Sequence, residues 1–124
     1  MADGLSVAVA DAALATIVGT DANNIQAHTG APGASGTANV SSVTTRPGVT
    51  WASPSGGSVS NNGTNPAWTN WAGTNGEVVT DISAWSGASA GTFGFSMQLN
   101  SSVTMDTGDS LTVGPITVTL PTAS

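Results

Sequence analysis

From Phe93 to Leu120 the apolar residues fall on every second position, and this alternation constrains the fold more than any other feature. Phe93, Phe95, Met97 and Leu99 alternate with small or polar residues, and Ile116, Val118 and Leu120 alternate with Thr117 and Thr119. A period of two places one set of side chains on one face of a strand. The turn former Asp106-Thr107-Gly108-Asp109 precedes Leu111 and Val113, and Gly114-Pro115 interrupts the run that follows. Short strands at such spacing predict a mainly β chain, an antiparallel β-sandwich or a partly closed barrel.

The other end of the chain has a different period. Residues 3–18 read as an N-terminal α-helix, with Asp3 as N-cap and Gly19 as the glycine that ends it. Leu5, Val9, Ala13 and Ile17 form one apolar stripe, and Val7, Ala10, Leu14 and Val18 form another. Two stripes make an apolar surface wider than a helix with one solvated side requires. Either the helix packs firmly on a sheet, or part of its face meets another subunit.

Between these ends the signals are shorter. Ile25 and Ala27 alternate with Gln26 and His28, a strand ending at Thr29-Gly30. Residues 30–42 read as an extended loop, and Val43–Ala52 as a strand region held to an edge or bulge by Pro47. Residues 53–77 are polar and glycine-rich but contain Val59, Trp68 and Trp71, and Val78–Trp85 has strand composition. With 124 residues the whole chain, 1–124, fits one domain, a helix over 3–18 and a sandwich over 24–121.

Charge excludes several functions. Arg46 is the only base, set against seven acids, and charged residues are 6% of the chain where about 25% is usual. One arginine cannot release the counterions that nucleic-acid binding exploits, nor hold an anionic membrane. No nucleic-acid and no membrane partner is therefore expected. Without cysteine there is neither a disulfide framework nor a thiolate metal site. The apolar stretch Leu5–Val18 lacks preceding positive charge and contains Asp11, so it does not read as a secretion signal. A chain made in the cytoplasm and kept intact is the expectation. Edges free of lysine favour an assembly over a free monomer.

Catalytic chemistry finds little to work with, and no catalytic residue, metal or cofactor is expected. His28 is the sole histidine, and no serine has the setting of a nucleophile elbow. Glu77 and Asp81 read as solvated loop acids rather than a glycosidase pair, and Asp106 and Asp109 as a hairpin turn rather than a calcium loop. Asn39, Asn62 and Asn100 begin Asn-x-Ser/Thr triplets of a kind that a chain rich in these residues produces by chance. Trp68 and Trp71 have three readings: core residues, anchors of a protein interface, or exposed indoles that stack on sugars. Arg46 either pairs with an acid or lies solvated.

The stretch from Ile25 to Asn39, with His28-Thr29-Gly30-Ala31-Pro32-Gly33, Gly36 and Asn39, resembles a signature of small virion proteins from tailed phages, those of actinobacteria among them. Those proteins are variously labelled head-decoration, minor capsid, minor tail or tail-fibre proteins. Further landmarks follow in the same order: the Met1–Ser6 start, Arg46 ahead of Val49-Thr50-Trp51, Gly56–Ser60, Ile82–Ser86, Gly91–Phe93, Gly108–Thr112 and Ile116–Leu120. Ala31 departs from the family's usual aspartate there, and the family has no catalytic residues to transfer.

The resemblance implies a structural virion protein, foremost one that decorates the outside of the capsid and stabilises it. Its partner would be the major capsid protein, with self-association into a homo-oligomer. The candidate contacts are Leu5, Val9 and Ile17 on the helix, the loop at Pro32, then Trp68 and Trp71. The alternative is a minor tail or tail-fibre protein that contacts the host surface, with the indoles facing its glycans.

Overall fold

The computed structural model of the chain describes residues 3–63 and 65–123. One helix, α1 (Val7–Thr20), precedes seven strands: β1 (Asn24–His28), β2 (Ser58–Ser60), β3 (Ala67–Trp68), β4 (Glu77–Trp85), β5 (Phe93–Met105), β6 (Leu111–Thr112) and β7 (Thr117–Thr119). All strand pairs are antiparallel. They form a three-stranded sheet in the order β1-β4-β5 and two two-stranded sheets, β2-β7 and β3-β6. The chain is mainly β with an N-terminal helix, as the alternation predicts, and no barrel closes among the described residues.

The helix starts later than the sequence suggests. Ser6 is the N-cap, its Oγ accepting from the Val9 N–H at 3.2 Å, and Asp3 stands outside. The reason is tertiary: Leu5 bridges to Thr122, its N–H donating to the Pro121 carbonyl and its own carbonyl accepting from Ala123. The chain before Ser6 is thus held extended beside the C-terminal segment. At the other end Gly19 lies inside the helix, and Asp21 caps it by donating its N–H to Ile17 O at 2.8 Å.

Two clusters make the core. The larger packs Ile25 and Ala27 of β1 and Val79, Ile82 and Ala84 of β4 against Trp68, Trp71, Leu111, Val113 and Ile116. These two layers are what the alternating positions face. The smaller cluster sets Leu14 and Val18 of α1 on Val59 of β2, with Val118 and Leu120 beside them. Trp51 packs against both clusters and joins them. A side chain as fully enclosed as Leu14 contributes about 1.5–3 kcal/mol through burial.

The strand expected over Val43–Ala52 is absent as a continuous element. Only isolated bridges occur there, Gly48 to Asn24 and Trp51 to Asn61. Pro47 supplies no N–H, and its neighbourhood instead lies along β1, with Ile25 N–H donating to Pro47 O and Val49 N–H to Asn23 O.

Candidate functional site

Alternation predicts that Gln26 and His28 face solvent, yet both are buried. β1 is covered on both faces because residues 30–42 fold over its outer side. The Thr29 N–H donates to Asn39 O, and the Ser41 N–H donates to Ala27 O. Gly36, at φ +72°, lets this loop lie against the ring of Phe93, where a Cβ would stand 2.5 Å from the ring. Pro32 is buried within the same loop and anchors it by accepting from the Ala38 N–H at 2.9 Å.

Beneath the loop lies a sealed polar cluster. His28 Nε2 is 2.6 Å from Ser83 Oγ, His28 Nδ1 is 2.9 Å from the Ala38 carbonyl, and Trp85 Nε1 donates to Ser83 Oγ at 2.7 Å. Burial holds the His28 pKa below its ordinary value; the Ala38 and Asn39 carbonyls and Asp81 oppose this, and Arg46 adds to it. Histidine and serine are both 0% exposed, so the pair has no face open to a substrate. The geometry makes it a hydrogen-bond lock between β1, β4 and the loop.

Arg46 is half-buried and bonds to carbonyls, with no acid in hydrogen-bond contact among the described residues. Its guanidinium lies over the Trp85 ring at 4.2 Å and donates through Nη1 to the carbonyls of Gly87 and Ala90, at 3.1 and 3.2 Å. It thereby fastens the 86–91 turn to the sheet. Glu77 is likewise engaged, accepting from the Ser41 hydroxyl and from the Ser42 N–H at 3.0 Å. Burial pushes its pKa up, but these hydrogen bonds outweigh burial and hold the carboxyl below its ordinary value.

The candidate contact residues separate cleanly. Leu5 is 41% exposed and Val9 54%, and Val7 lies exposed between them. Ile17 is half-buried against the Leu14–Val59 cluster. Trp68 and Trp71 are buried, their rings edge-to-face with centroids 6.4 Å apart. They are core residues, so the readings that place their indoles at a surface fail. The polar sequence around them misleads because it forms the loops that fold their indoles inward. Trp68 donates to Thr45 O at 2.8 Å, while Trp71 Nε1 has no partner among the described residues. Pro32 is also unavailable as a side-chain contact. What sequence reasoning missed is Ser83 and the covered outer face of β1; the glycines at 33 and 36 were the only signal of it.

No group of three or more His, Cys, Asp or Glu that could hold a metal occurs among the described residues. Nor is any helix among them long and apolar enough to cross a membrane.

The model of the family described as podophage GP4 fiber I protein gp80 matches residues 1–120. Nothing among the curated proteins or the solved structures matches. The description names a podophage fibre protein, and neither the head-decoration label nor an actinobacterial source is part of it. With 120 of its 124 residues spanned by that model, this chain belongs to the podophage GP4 fiber I protein gp80 family, whose members are structural proteins of phage virions.

Proposed function

We propose that the chain is a structural component of a podophage tail fibre, acting through contact surfaces and not through catalysis. The observation that carries this reading is the family match over residues 1–120. It favours the fibre alternative over decoration of the capsid, and the expected partner changes with it from the major capsid protein to neighbouring fibre and tail proteins.

The residues support a contact role. Leu5, Val7 and Val9 stand exposed at the start of α1, where the chain is pinned to its own C-terminal segment. Exposed apolar side chains on a fixed element suit attachment to another protein. Glycan binding through the indoles loses its basis, since Trp68, Trp71 and Trp85 are buried and Trp51 donates its N–H to Ala22 O. Host contact would have to use other surfaces.

The test is quantitative mass spectrometry of purified particles, of tail-less heads and of detached tails. The fibre reading expects a low copy number that leaves the heads with the tails. Retention on tail-less heads in numbers approaching the major capsid protein would overturn it and restore the decoration reading.

A further inference from the structure

The two edges of the β1-β4-β5 sheet are treated differently. Along β1, the N–H groups of Ile25 and Thr29 donate to Pro47 O and Asn39 O, and the carbonyls of Asn23 and Ala27 accept from Val49 and Ser41. Irregular chain thus closes that edge. Along β5, no backbone group from Gly94 to Thr104 bonds outside the β4 ladder among the described residues. A bare edge of this length is a template for another strand.

Nothing in the sequence blunts it. From Ile82 to Met105 the chain has no ionisable residue and no proline. Two irregularities bound it: Leu99–Ser102 stand opposite Thr80 alone, and Gly94 is left over between the Ala84–Phe95 and Trp85–Phe93 pairs, so that Phe95–Gln98 is the regular stretch. Beside this edge a cleft of about 270 Å³ opens between β5 and residues 111–116, lined by Met97, Leu99, Val103, Leu111 and Val113, and it too is free of ionisable groups.

We infer that β5 is the self-association surface of this protein, two copies pairing antiparallel about a two-fold axis at Ser96, within the regular stretch. Charge selects the occupant. Two copies of a chain with net charge -6 repel unless they meet where acids are absent, and β5 with its cleft is such a place. The nearest acid on the sheet, Asp81, lies one strand inward opposite Gln98. Across a β4-β5-β5-β4 arrangement three strand spacings of about 4.8 Å already hold the two Asp81 carboxylates at least about 14 Å apart, beyond the Debye length of about 8 Å at physiological salt. A basic partner would find no acid to pair with. Self-pairing keeps the pleat: Phe95 and Met97 remain on the core face, Ser96 and Gln98 on the outer. The paired edge gains backbone hydrogen bonds and covers the half-buried Met97 from the side. The inference concerns the purified chain and stands apart from the assignment to a fibre.

Sedimentation equilibrium over a range of concentrations tests it, with wild type expected to pass from monomer to dimer. Ser96 and Gln98 are exposed, so Ser96→Glu with Gln98→Glu leaves the monomer fold intact by circular dichroism. Four carboxylates then face one another across the axis, and the dimer Kd rises about tenfold or more. The absence of native cysteine gives a second readout. Ser96→Cys forms a disulfide-linked dimer under mild oxidation, while Thr16→Cys, exposed on α1, does not. A wild type monomeric at every concentration, a dimer indifferent to the two glutamates, or equal cross-linking at Thr16 would each overturn the inference.

Discussion

Ser83 Oγ and His28 Nε2 stand 2.6 Å apart, and the surrounding contacts assign every proton in the cluster. The Trp85 indole can only donate, so Ser83 Oγ accepts from it. The Ala38 carbonyl can only accept, so His28 Nδ1 carries the imidazole proton. Neutral Nε2 is then an acceptor, and the Ser83 hydroxyl donates to it. The relay runs Trp85 to Ser83 to His28 to Ala38 and leaves no ring nitrogen or hydroxyl unpaired. In a place where water does not reach, that completeness makes the arrangement stabilising.

Removing the middle of the relay is therefore costly. Ser83→Ala leaves the buried Trp85 N–H and His28 Nε2 without partners, and is expected to destabilise by about 1–3 kcal/mol. Urea unfolding measures it, with an unchanged slope showing that only stability has moved. A wild-type midpoint would mean that the cluster contributes nothing.

Acid should act on the same cluster before it acts elsewhere. With the His28 pKa held below its ordinary 6.5, chiefly by burial, the unfolded chain takes up a proton near pH 6.5 while the folded chain does not. This contribution is present in full above pH 6.5 and is lost as pH falls toward the folded pKa. Glu77 has a pKa below its ordinary 4.5, burial being outweighed by Ser41 and Ser42, so its contribution is full above pH 4.5 and lost below. The urea midpoint is expected to fall from pH 6.5 downward and to fall further below pH 4.5. His28→Gln removes the upper step and keeps the lower one. A midpoint level between pH 7 and 5 would contradict the assignment.

The covering loop depends on one close approach. Gly36 combines φ +72° with a Cβ position 2.5 Å from the Phe93 ring. Gly36→Ala adds backbone strain of about 1–3 kcal/mol and displaces the ring or the loop. Hydrogen exchange should then quicken at Thr29 and Ser41, whose N–H groups tie this loop region to β1. Gly63→Ala is the control, since it shares a positive φ but has nothing within 4 Å. It should show the strain without the loosening at Thr29.

How far the sequence could be read follows from what each element depends on. β1 and β5 were legible because their inward positions, Ile25 and Phe95 among them, obey a period of two set by the strand itself, while β4 was legible from its strand composition alone. The true N-cap was not, because Asp3 and Ser6 have equal chemistry and only the distant pairing of Leu5 with Thr122 decides between them. The same holds for Trp68 and Trp71, whose neighbours in sequence are polar while their neighbours in space are Leu111 and Val113. His28 reads as a strand or loop residue hydrogen-bonded to the neighbouring turn, but its burial depends on a loop ten residues on and its Ser83 partner lies on a distant strand. The bare edge of β5 was partly visible as an uncharged run from Ile82 to Met105, but which strand edge stays open is a property of the sheet order alone.

Trp68 and Trp71 provide the sharpest comparison, since they share a core and touch edge-to-face yet differ at one atom. Trp68 Nε1 donates to the Thr45 carbonyl at 2.8 Å, and Trp71 Nε1 is buried with no partner among the described residues. Replacing either by phenylalanine shrinks the core by a similar volume and leaves a similar cavity. At Trp68 the substitution also strands the Thr45 carbonyl; at Trp71 it removes a donor whose burial was a cost. Trp68→Phe is therefore expected to destabilise more than Trp71→Phe by about 1 kcal/mol, the difference between breaking a part-buried hydrogen bond and relieving an unmade one. Alanine at either site should cost about 3–5 kcal/mol through the cavity and bring the two back toward equality. Chemical unfolding of the four variants decides it. Equal phenylalanine costs would show that the Trp71 N–H finds a partner in solution, and a larger cost at Trp71 would reverse the ranking drawn from the hydrogen bonds.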